Sequence, residues 1–347
     1  MPKRGLEPPP PCEEPVLEGV MRSANFSTGA AQFTFSNDGS LAYIPGDVAI
    51  GASVLVRVDR AGVRKPIDEP DAYAFPRISS NGKQLVVSTS AKERTIWIYD
   101  DLNSAVPRRK LTLSGKSTTP IWSKDGLRVV FRTDGEDGPG LYWQSADGRG
   151  MPERLVQFKQ GGPSPEFFSD ERTLFFSTGL GSKRNLYSLS IGAGEEPKLV
   201  IEDAANFTLS RDGNWLAYSA STSGRSEVYV QAFPITGVAT KYQISREGAD
   251  NPLWSYDGTE LFYLSLGERR IYSVPVHTKP TFTFDKPTSL PIQGILAPGP
   301  RNYDITPDGK YFMTVFPRSQ ADGGKAPFEQ INMTLNWFEE LKQRLVH

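Results

Sequence analysis

The sequence predicts an all-β chain folded as a β-propeller of seven blades, and three observations carry that prediction. A short phrase, Ser/Thr-x-Asp/Asn-Gly, returns along the chain. An apolar residue stands directly before it each time, and an apolar strand follows it at once. The phrase occurs as Ser36-Asn37-Asp38-Gly39, Ser79-Ser80-Asn81-Gly82, Ser123-Lys124-Asp125-Gly126, a degenerate Ser169-Asp170-Glu171-Arg172, Ser210-Arg211-Asp212-Gly213, Ser255-Tyr256-Asp257-Gly258 and Thr306-Pro307-Asp308-Gly309. Successive copies lie 41 to 51 residues apart, the period of propeller blades.

Each element has a reason in the residues. Ser and Asp side chains bond nearby backbone N–H groups, and Gly accepts the positive φ that ends a tight turn. The position before the phrase holds Phe35, Ile78, Trp122, Phe168, Leu209, Trp254 or Ile305. A second strand follows, as in Leu85-Val86-Val87 or Leu261-Phe262-Tyr263. The third often holds an aromatic, as in Ile96-Trp97-Ile98 or Leu141-Tyr142-Trp143, and the fourth is less apolar, as in Lys198-Leu199-Val200. Four strands in one period make one blade, buried on its inner strands and wet at its rim. The last repeat supplies Tyr303 to Ile305, Tyr311 to Val315 and residues 331–337, but no outer strand. Pro15 to Val20 reads as an outer strand without a blade, so the N-terminal strand is expected to close the ring and remove two exposed edges. The irregular fourth phrase leaves six or eight blades as alternatives. Residues 336–345 read as a short C-terminal helix with Trp337, Leu341 and Leu345 on one side. Residues 1–13 read as a proline-rich linker and 14–347 as one propeller domain.

Composition narrows the function. Lys and Arg number 39 against 40 Asp and Glu, so no basic excess calls for nucleic acid. Cys12 is the single cysteine, and His277 and His347 are the only histidines. Disulfides, cysteine metal clusters and most histidine acid–base chemistry are therefore not expected. No apolar run reaches the ~18 residues of a membrane span, and the N-terminus has no signal-peptide h-region. On these grounds the chain, if complete, is expected to stay in the cytoplasm. Neither a Gly-x-Ser-x-Gly elbow nor a Ser-His-Asp set is evident. The turn acids, spread one per blade around a ring, cannot converge on one calcium ion. No catalytic, cofactor or metal residue is assigned, and Trp122, Trp254, Trp97 and Trp143 read as packing residues.

The turn phrase followed by an apolar strand resembles the TolB-type, WD-repeat-like propeller family. A more particular likeness runs through Thr28 to Phe33, Val58 to Gly62, Tyr73 to Ser79, Glu227 to Pro234, Tyr303 to Gly309 and Asn336 to Lys342. This ordered set resembles the C-terminal sensor propeller of bacterial serine/threonine protein kinases. The resemblance spans roughly residues 14 to 343 and implies a sensing module outside the membrane. The glycine-rich loop, strand Lys, catalytic-loop Asp and Asp-Phe-Gly of a kinase are missing from the sequence, and the Gly179 to Ser182 cluster does not open a helix.

One pattern exceeds what folding needs. Loops between second and third strands end in Arg94, Arg184, Arg225 and Arg270, while loops leading into first strands carry acids that include Asp71 and Asp250. Both sets emerge on one face of an up-and-down ring. They read either as exposed inter-blade salt bridges or as a recognition surface for a protein, peptide or small ligand. The function expected is non-catalytic binding or sensing. The alternative is a propeller hydrolase or lyase with a site at the central channel.

Overall fold

A computed structural model of the chain describes Val20 and residues 33–43, 53–89, 93–102, 106–113, 115–136, 138–159, 161–180, 183–221, 224–237, 240–279, 281–296, 299–318 and 332–337. Contacts divide the chain into two compact units, residues 1–51 with 326–347, and residues 52–325.

Among the described residues the larger unit holds six antiparallel sheets. Blade one runs from strand Tyr73–Ile78 to Arg109–Lys110, blade two from Ser117–Trp122 to Glu153–Gln157, and blade three from Ser164–Phe168 to Lys198–Ile201. Blade four runs from Ala204–Leu209 to Lys241–Gln243, and blade five from Ala249–Trp254 to Thr288–Gln293. Blade six joins both ends of the unit: Tyr303–Ile305, Tyr311–Pro317, Ser53–Asp59 and Arg64–Pro66.

Neighbouring blades share apolar cores, and the circuit closes. Val86, Ile96 and Ile98 of blade one pack with Val129 and Phe131 of blade two. Val130 and Leu141 pack with Leu174 and Phe176 of blade three, and Phe175 and Leu186 with Leu216 and Tyr218 of blade four. Val228 and Val230 pack with Leu261 and Tyr263 of blade five. Phe262 and Leu264 then meet Val54, Val56 and Val58 of blade six. Leu55, on the other face of the same strand, returns to Leu85 and Val87 of blade one.

The turn count predicts seven blades, with six or eight as alternatives, and among the described residues six sheets of this unit pack in a closed circuit. The first phrase, Ser36 to Gly39, instead joins Phe33–Phe35 to Leu41–Tyr43 in a three-stranded sheet of the smaller unit, completed by Asn332–Thr334. Closure does use an N-terminal segment, but it is Ser53–Asp59, paired with Tyr311–Pro317 along seven residues. Pro15 to Gly19, of the strand expected in that role, lie outside the described residues. The reason lies in the sequence. An inner strand shared by two cores must be apolar on both faces. Val54, Leu55, Val56 and Val58 meet that demand at 4% exposure or less, and Asn332-Met333-Thr334 does not. Of the expected terminal helix only Asn336 and Trp337 are described. Trp337 is buried and its N–H donates to the Gly39 carbonyl at 2.8 Å.

The repeated phrase is a fixed hydrogen-bond unit. In blade five, Ser255 Oγ donates to Asp257 Oδ1 at 2.6 Å and accepts from the Glu260 N–H at 2.9 Å, while the Gly258 N–H donates to the Ser255 carbonyl at 3.1 Å. The phrases at Ser79, Ser123, Ser210 and Thr306 repeat this pattern. Gly258 has φ of 73°, which only Gly adopts without penalty. At Ser169 no Gly is present, and Asp170 Oδ1 accepts from both the Arg172 and Thr173 N–H groups at 2.8 Å instead.

Leu55→Ala removes a side chain wedged between two blades and should lower stability by about 2–5 kcal/mol, read as a lower denaturant midpoint at unchanged slope. Asp257→Ala should cost about 1 kcal/mol with or without added calcium. The Ser255 hydroxyl, then the Thr259 N–H, holds the Asp257 carboxyl below its ordinary range. Its contribution is therefore present above pH 4 and is lost as pH falls through the lowered folded value. Asp257→Asn, which copies Asn81 of blade one, should cost less and show no such acid dependence.

Candidate functional site at the channel of the ring

The first strands of all six blades surround one axis, because each contributes to the same narrow cavity, directly or through the residues leading into it. Neighbouring first strands are stitched by side chains. Trp122 Nε1 donates to the Arg77 carbonyl at 2.9 Å and Trp254 Nε1 to the Thr208 carbonyl at 3.3 Å. The Trp before the turn thus packs and also ties its blade to the one before. Blade six is tied to blade one by the Phe75 N–H on Asn302 Oδ1 at 2.9 Å and the Ile78 N–H on Asp304 Oδ2 at 2.8 Å.

Four of these six strands are bent alike. Four residues before the turn Ser stand Phe75, Thr119, Asn206 and Asn251, all left-handed with φ between 49° and 58°, and each strand shifts register there. Such backbone costs about 1–3 kcal/mol per residue, and more readily marks function than packing. A bulge re-aims the neighbouring side chains. In blade three the equivalent position is Pro165, whose ring holds φ negative. The strand bulges one residue later, at Glu166.

The channel has a neck and a mouth. Residues 77, 119, 166, 251 and 301 all line the neck, a cavity of about 20 Å³. Above it opens a mouth of about 240 Å³ on the turn-phrase end of the strands. Four cations line the mouth, Arg77, Lys124, Arg211 and Arg301, against two carboxylates, Glu166 and Asp304. Lys124 and Arg211 are exposed. Lys124 Nζ donates to the Ser169 carbonyl at 2.7 Å, and the Arg211 guanidinium lies 4.9 Å over the Tyr256 ring. The Tyr256 hydroxyl reaches the Ser79 carbonyl at 3.4 Å. Ser80, Lys124, Arg211 and Tyr256 all occupy the variable second place of the phrase. The constant places build the turn and the variable place dresses the mouth.

Burial governs the charges inside. Burial, with the Arg301 guanidinium adding to it, pushes Arg77 down to about 9, which leaves it charged at neutral pH. Arg77 donates to the Arg301 carbonyl at 2.8 Å. Burial pushes the Glu166 carboxyl up to about 7, against the pull of the Ser177 hydroxyl and of Arg184, Arg77 and Arg301. Ser177 Oγ donates to Glu166 Oε1 at 2.5 Å. Asp250 is raised by burial, although it accepts from Asn206 Nδ2 at 2.6 Å.

The residues chosen from the sequence lie elsewhere, with partners on their own chain. Arg94 pairs with Asp134 at 2.8 Å. Arg184 donates to Ser177 Oγ at 3.0 Å and to the Gly162 carbonyl at 2.7 Å. Arg225 donates to the Arg246 carbonyl at 2.8 Å, and Arg270 to Gln293 Oε1 at 2.8 Å. Asp71 pairs with Arg108 at 2.8 Å. Only Asp250, through Asn206, and Arg184, beside Ser177, join the channel network. Among the described residues no group of three acidic, His or Cys side chains is placed to hold a metal ion, and no helix is long and apolar enough to cross a membrane.

No family model matches the sequence, and no curated relative matches it. Solved structures do. TolB from Acinetobacter baumannii is 20% identical with a TM-score of 0.54, over 72% of this chain and 66% of that one. A protein assigned as TolB from Agrobacterium tumefaciens is 14% identical with a TM-score of 0.57, over 77% of this chain and 98% of that one. A puromycin-hydrolysing peptidase from Mycobacterium tuberculosis is 16% identical with a TM-score of 0.51, over 75% of this chain and 45% of that one. This chain thus spans about two thirds of the first, nearly all of the second and under half of the third. The fold is that of the TolB-type β-propellers.

Glu166 yields a pH prediction. A carboxyl raised in the folded state binds its proton more tightly there than when unfolded. Its contribution is greatest below pH ~4.3 and is lost as pH rises through 7. Wild type should lose up to about 4 kcal/mol across that window at ~1.4 kcal/mol per pKa unit, and Glu166→Gln should flatten the curve in a melting series from pH 4 to 8.

Proposed function

We propose that this chain is a non-catalytic recognition module that receives an acidic segment of a protein or peptide partner at the mouth of its propeller channel. The observation that carries the reading is the mouth itself. Four cations face two carboxylates in a chain whose net charge is −1, and the rim cations sit at the one place of the phrase that the turn leaves free. Guanidinium forks held in partly buried, low-dielectric surroundings engage carboxylates more strongly than surface ions do. The opposite face is less suited because Arg94, Arg225 and Arg270 already face carboxylates of their own chain, Asp134, Glu227 and Glu268, whereas Lys124 and Arg211 meet only a carbonyl and a ring.

The ordered motifs from Tyr73 to Ser79, Glu227 to Pro234 and Tyr303 to Gly309 support a role as the sensing half of a signalling protein of the bacterial serine/threonine kinase type. The second reading is a channel enzyme. Glu166 favours it, since a carboxyl near 7 inside a cavity is suited to general acid–base work. Against it, Ser177 and Arg184 occupy that carboxyl's surroundings, and among the described residues no histidine lines the channel.

A fluorescent ten-residue Asp/Glu peptide should bind wild type more tightly than its Asn/Gln counterpart. Lys124→Ala with Arg211→Ala should weaken the acidic peptide about tenfold without lowering the melting point. Salt should act like the double variant, because exposed charges are screened over about 8–10 Å. Equal binding of the two peptides, or an unaffected double variant, would overturn the mouth as the site. Turnover of ester, lactone or peptide substrates that disappears in Glu166→Gln would replace this reading by the enzyme.

A further inference from the structure

Away from the channel, blade six carries a cation for which the chain supplies no counter-ion. Tyr311, Met313 and Arg57 lie on one face of that blade, because Arg57 pairs with Met313 and strand side chains alternate. Leu55 and Met313 of this face pack against Leu85 and Val87 of blade one, so Arg57 is directed into the seam between the two blades. Its half-buried guanidinium lies 4.8 Å over the Tyr311 ring. It has no hydrogen bond or ion pair among the described residues. Its cross-strand neighbour is Lys65, exposed and equally without a carboxylate. Like charges set opposite one another weaken a sheet.

Blade two shows what completes such a group. Two places after the Gly of the phrase stands Arg128, as Tyr311 does in blade six, and Trp143 takes the place of Arg57 on the third strand. Cation and ring have exchanged strands: Arg128 lies 3.8 Å over Trp143. The place of Lys65 is held there by Glu153. Its Oε2 accepts from Trp143 Nε1 at 2.8 Å and stands 3.8 Å from Arg128. Val130, on the same face, packs against blade three, so each group addresses the next blade in the ring. Blade six keeps the ring and the cation, and exchanges the acid for a second cation.

Beside this group the seam is open. Arg57, Tyr311 and Met313 line a cavity of about 280 Å³, with Gly82 and Leu102 of blade one on its other side. It shares no lining residue with the mouth. Asp308 also lines it, but Oδ1 accepts from the Thr306 hydroxyl at 2.6 Å and the Lys310 N–H at 3.1 Å, and Lys310 Nζ lies 3.8 Å away. Asp59, two places from Arg57, is held by the Val63 N–H at 2.8 Å. Both acids are thus engaged within their own turns. An occupant must bring an anion for Arg57 and an apolar body for Leu102, Met313 and Pro307. A cavity of ~150 Å³ already takes benzene, so a ring with a carboxylate fits.

We propose that this seam is a second ligand site, which takes a small organic acid with one aromatic or branched apolar body, its carboxylate serving Arg57 as Glu153 serves Arg128. The site goes beyond the mouth and does not depend on that reading. Its ligand touches both blades that close the ring, so binding strengthens the closure.

The test uses the full chain and four acids (phenylacetate, indole-3-acetate, benzoate and isovalerate), each beside its amide, in ligand-observed NMR and thermal melting. At least one acid should bind at millimolar concentration, about tenfold or more tighter than its amide, and raise the melting point. Arg57→Gln should weaken that acid about tenfold without lowering the unliganded melting point, since it removes an unpaired cation facing Lys65. Lys65→Glu gives blade six the acid of blade two. It should raise the melting point and abolish binding, and it decides alone if Arg57→Gln fails to fold. Binding that survives Lys65→Glu, or amides bound as well as acids, would sink the site, as would no binding by any of the four. Displacement by equimolar inorganic phosphate would show a bare oxyanion site and overturn the organic acid. Loss of binding in the Lys124→Ala, Arg211→Ala double variant would move the acid to the mouth and overturn the seam.

Discussion

The seam between Tyr311–Pro317 and Ser53–Asp59 is the constraint on which the ring depends. It joins segments some 250 residues apart, and both faces of Ser53–Asp59 are spent on cores, Leu55 toward blade one and Val54, Val56 and Val58 toward blade five. Loop-closure entropy grows only slowly with length, so a long-range seam is tolerable once apolar burial on two sides offsets it. The channel inherits its dimensions from this seam. Phe75 meets Asn302, Ile78 meets Asp304 and Arg77 meets the Arg301 carbonyl only because blade six has been brought round to blade one. Arg77 and Arg301 are channel partners by virtue of closure.

A division of labour within each repeat then follows. Ser, Asp and Gly of the phrase are consumed by local hydrogen bonds and by a positive φ, so they carry no information about a ligand. The side chain between Ser and Asp takes no part in the hydrogen bonds of the turn itself. It is Ser, Lys, Arg or Tyr where it borders the mouth. The strained residues four places earlier keep the first strands bulged toward the axis, which puts polar groups where a regular strand would present a ladder. Packing is thus uniform around the ring, while chemistry is local.

The blade pattern was legible because it is local: phrase, apolar neighbours and strand alternation all lie within about 45 residues. The closing seam was not. Residues 331–337 and 53–59 both look like strands, and only the two-sided apolarity of the latter separates them. The channel charges escaped for a related reason. Arg77, Glu166 and Arg301 come from blades one, three and six and share no spacing, whereas Arg94, Arg184, Arg225 and Arg270 share a loop position and so drew attention as a set. A shared position reflects the fold's repetition. The better signal was the place where the repeats disagree, at Ser80, Lys124, Arg211 and Tyr256, together with the odd fourth phrase and the Pro165 that accompanies it.

Pro165 has a consequence for how a ligand is oriented. A ring of near-equal blades presents its axis with near-equal sectors, and a guest held at the centre could sit in several azimuths of similar energy. Two blades depart from the pattern: the Pro165 ring refuses the left-handed backbone and moves the bulge of blade three to Glu166, and the first strand of blade six, after Asn302, pairs without a register shift. Glu166 of blade three and Asp304 of blade six then share the channel with Arg77 and Arg301, so its acids stand in two of the six sectors. A guest with its own asymmetry, anion on one side and donor on the other, would find one rotational setting favoured over the rest.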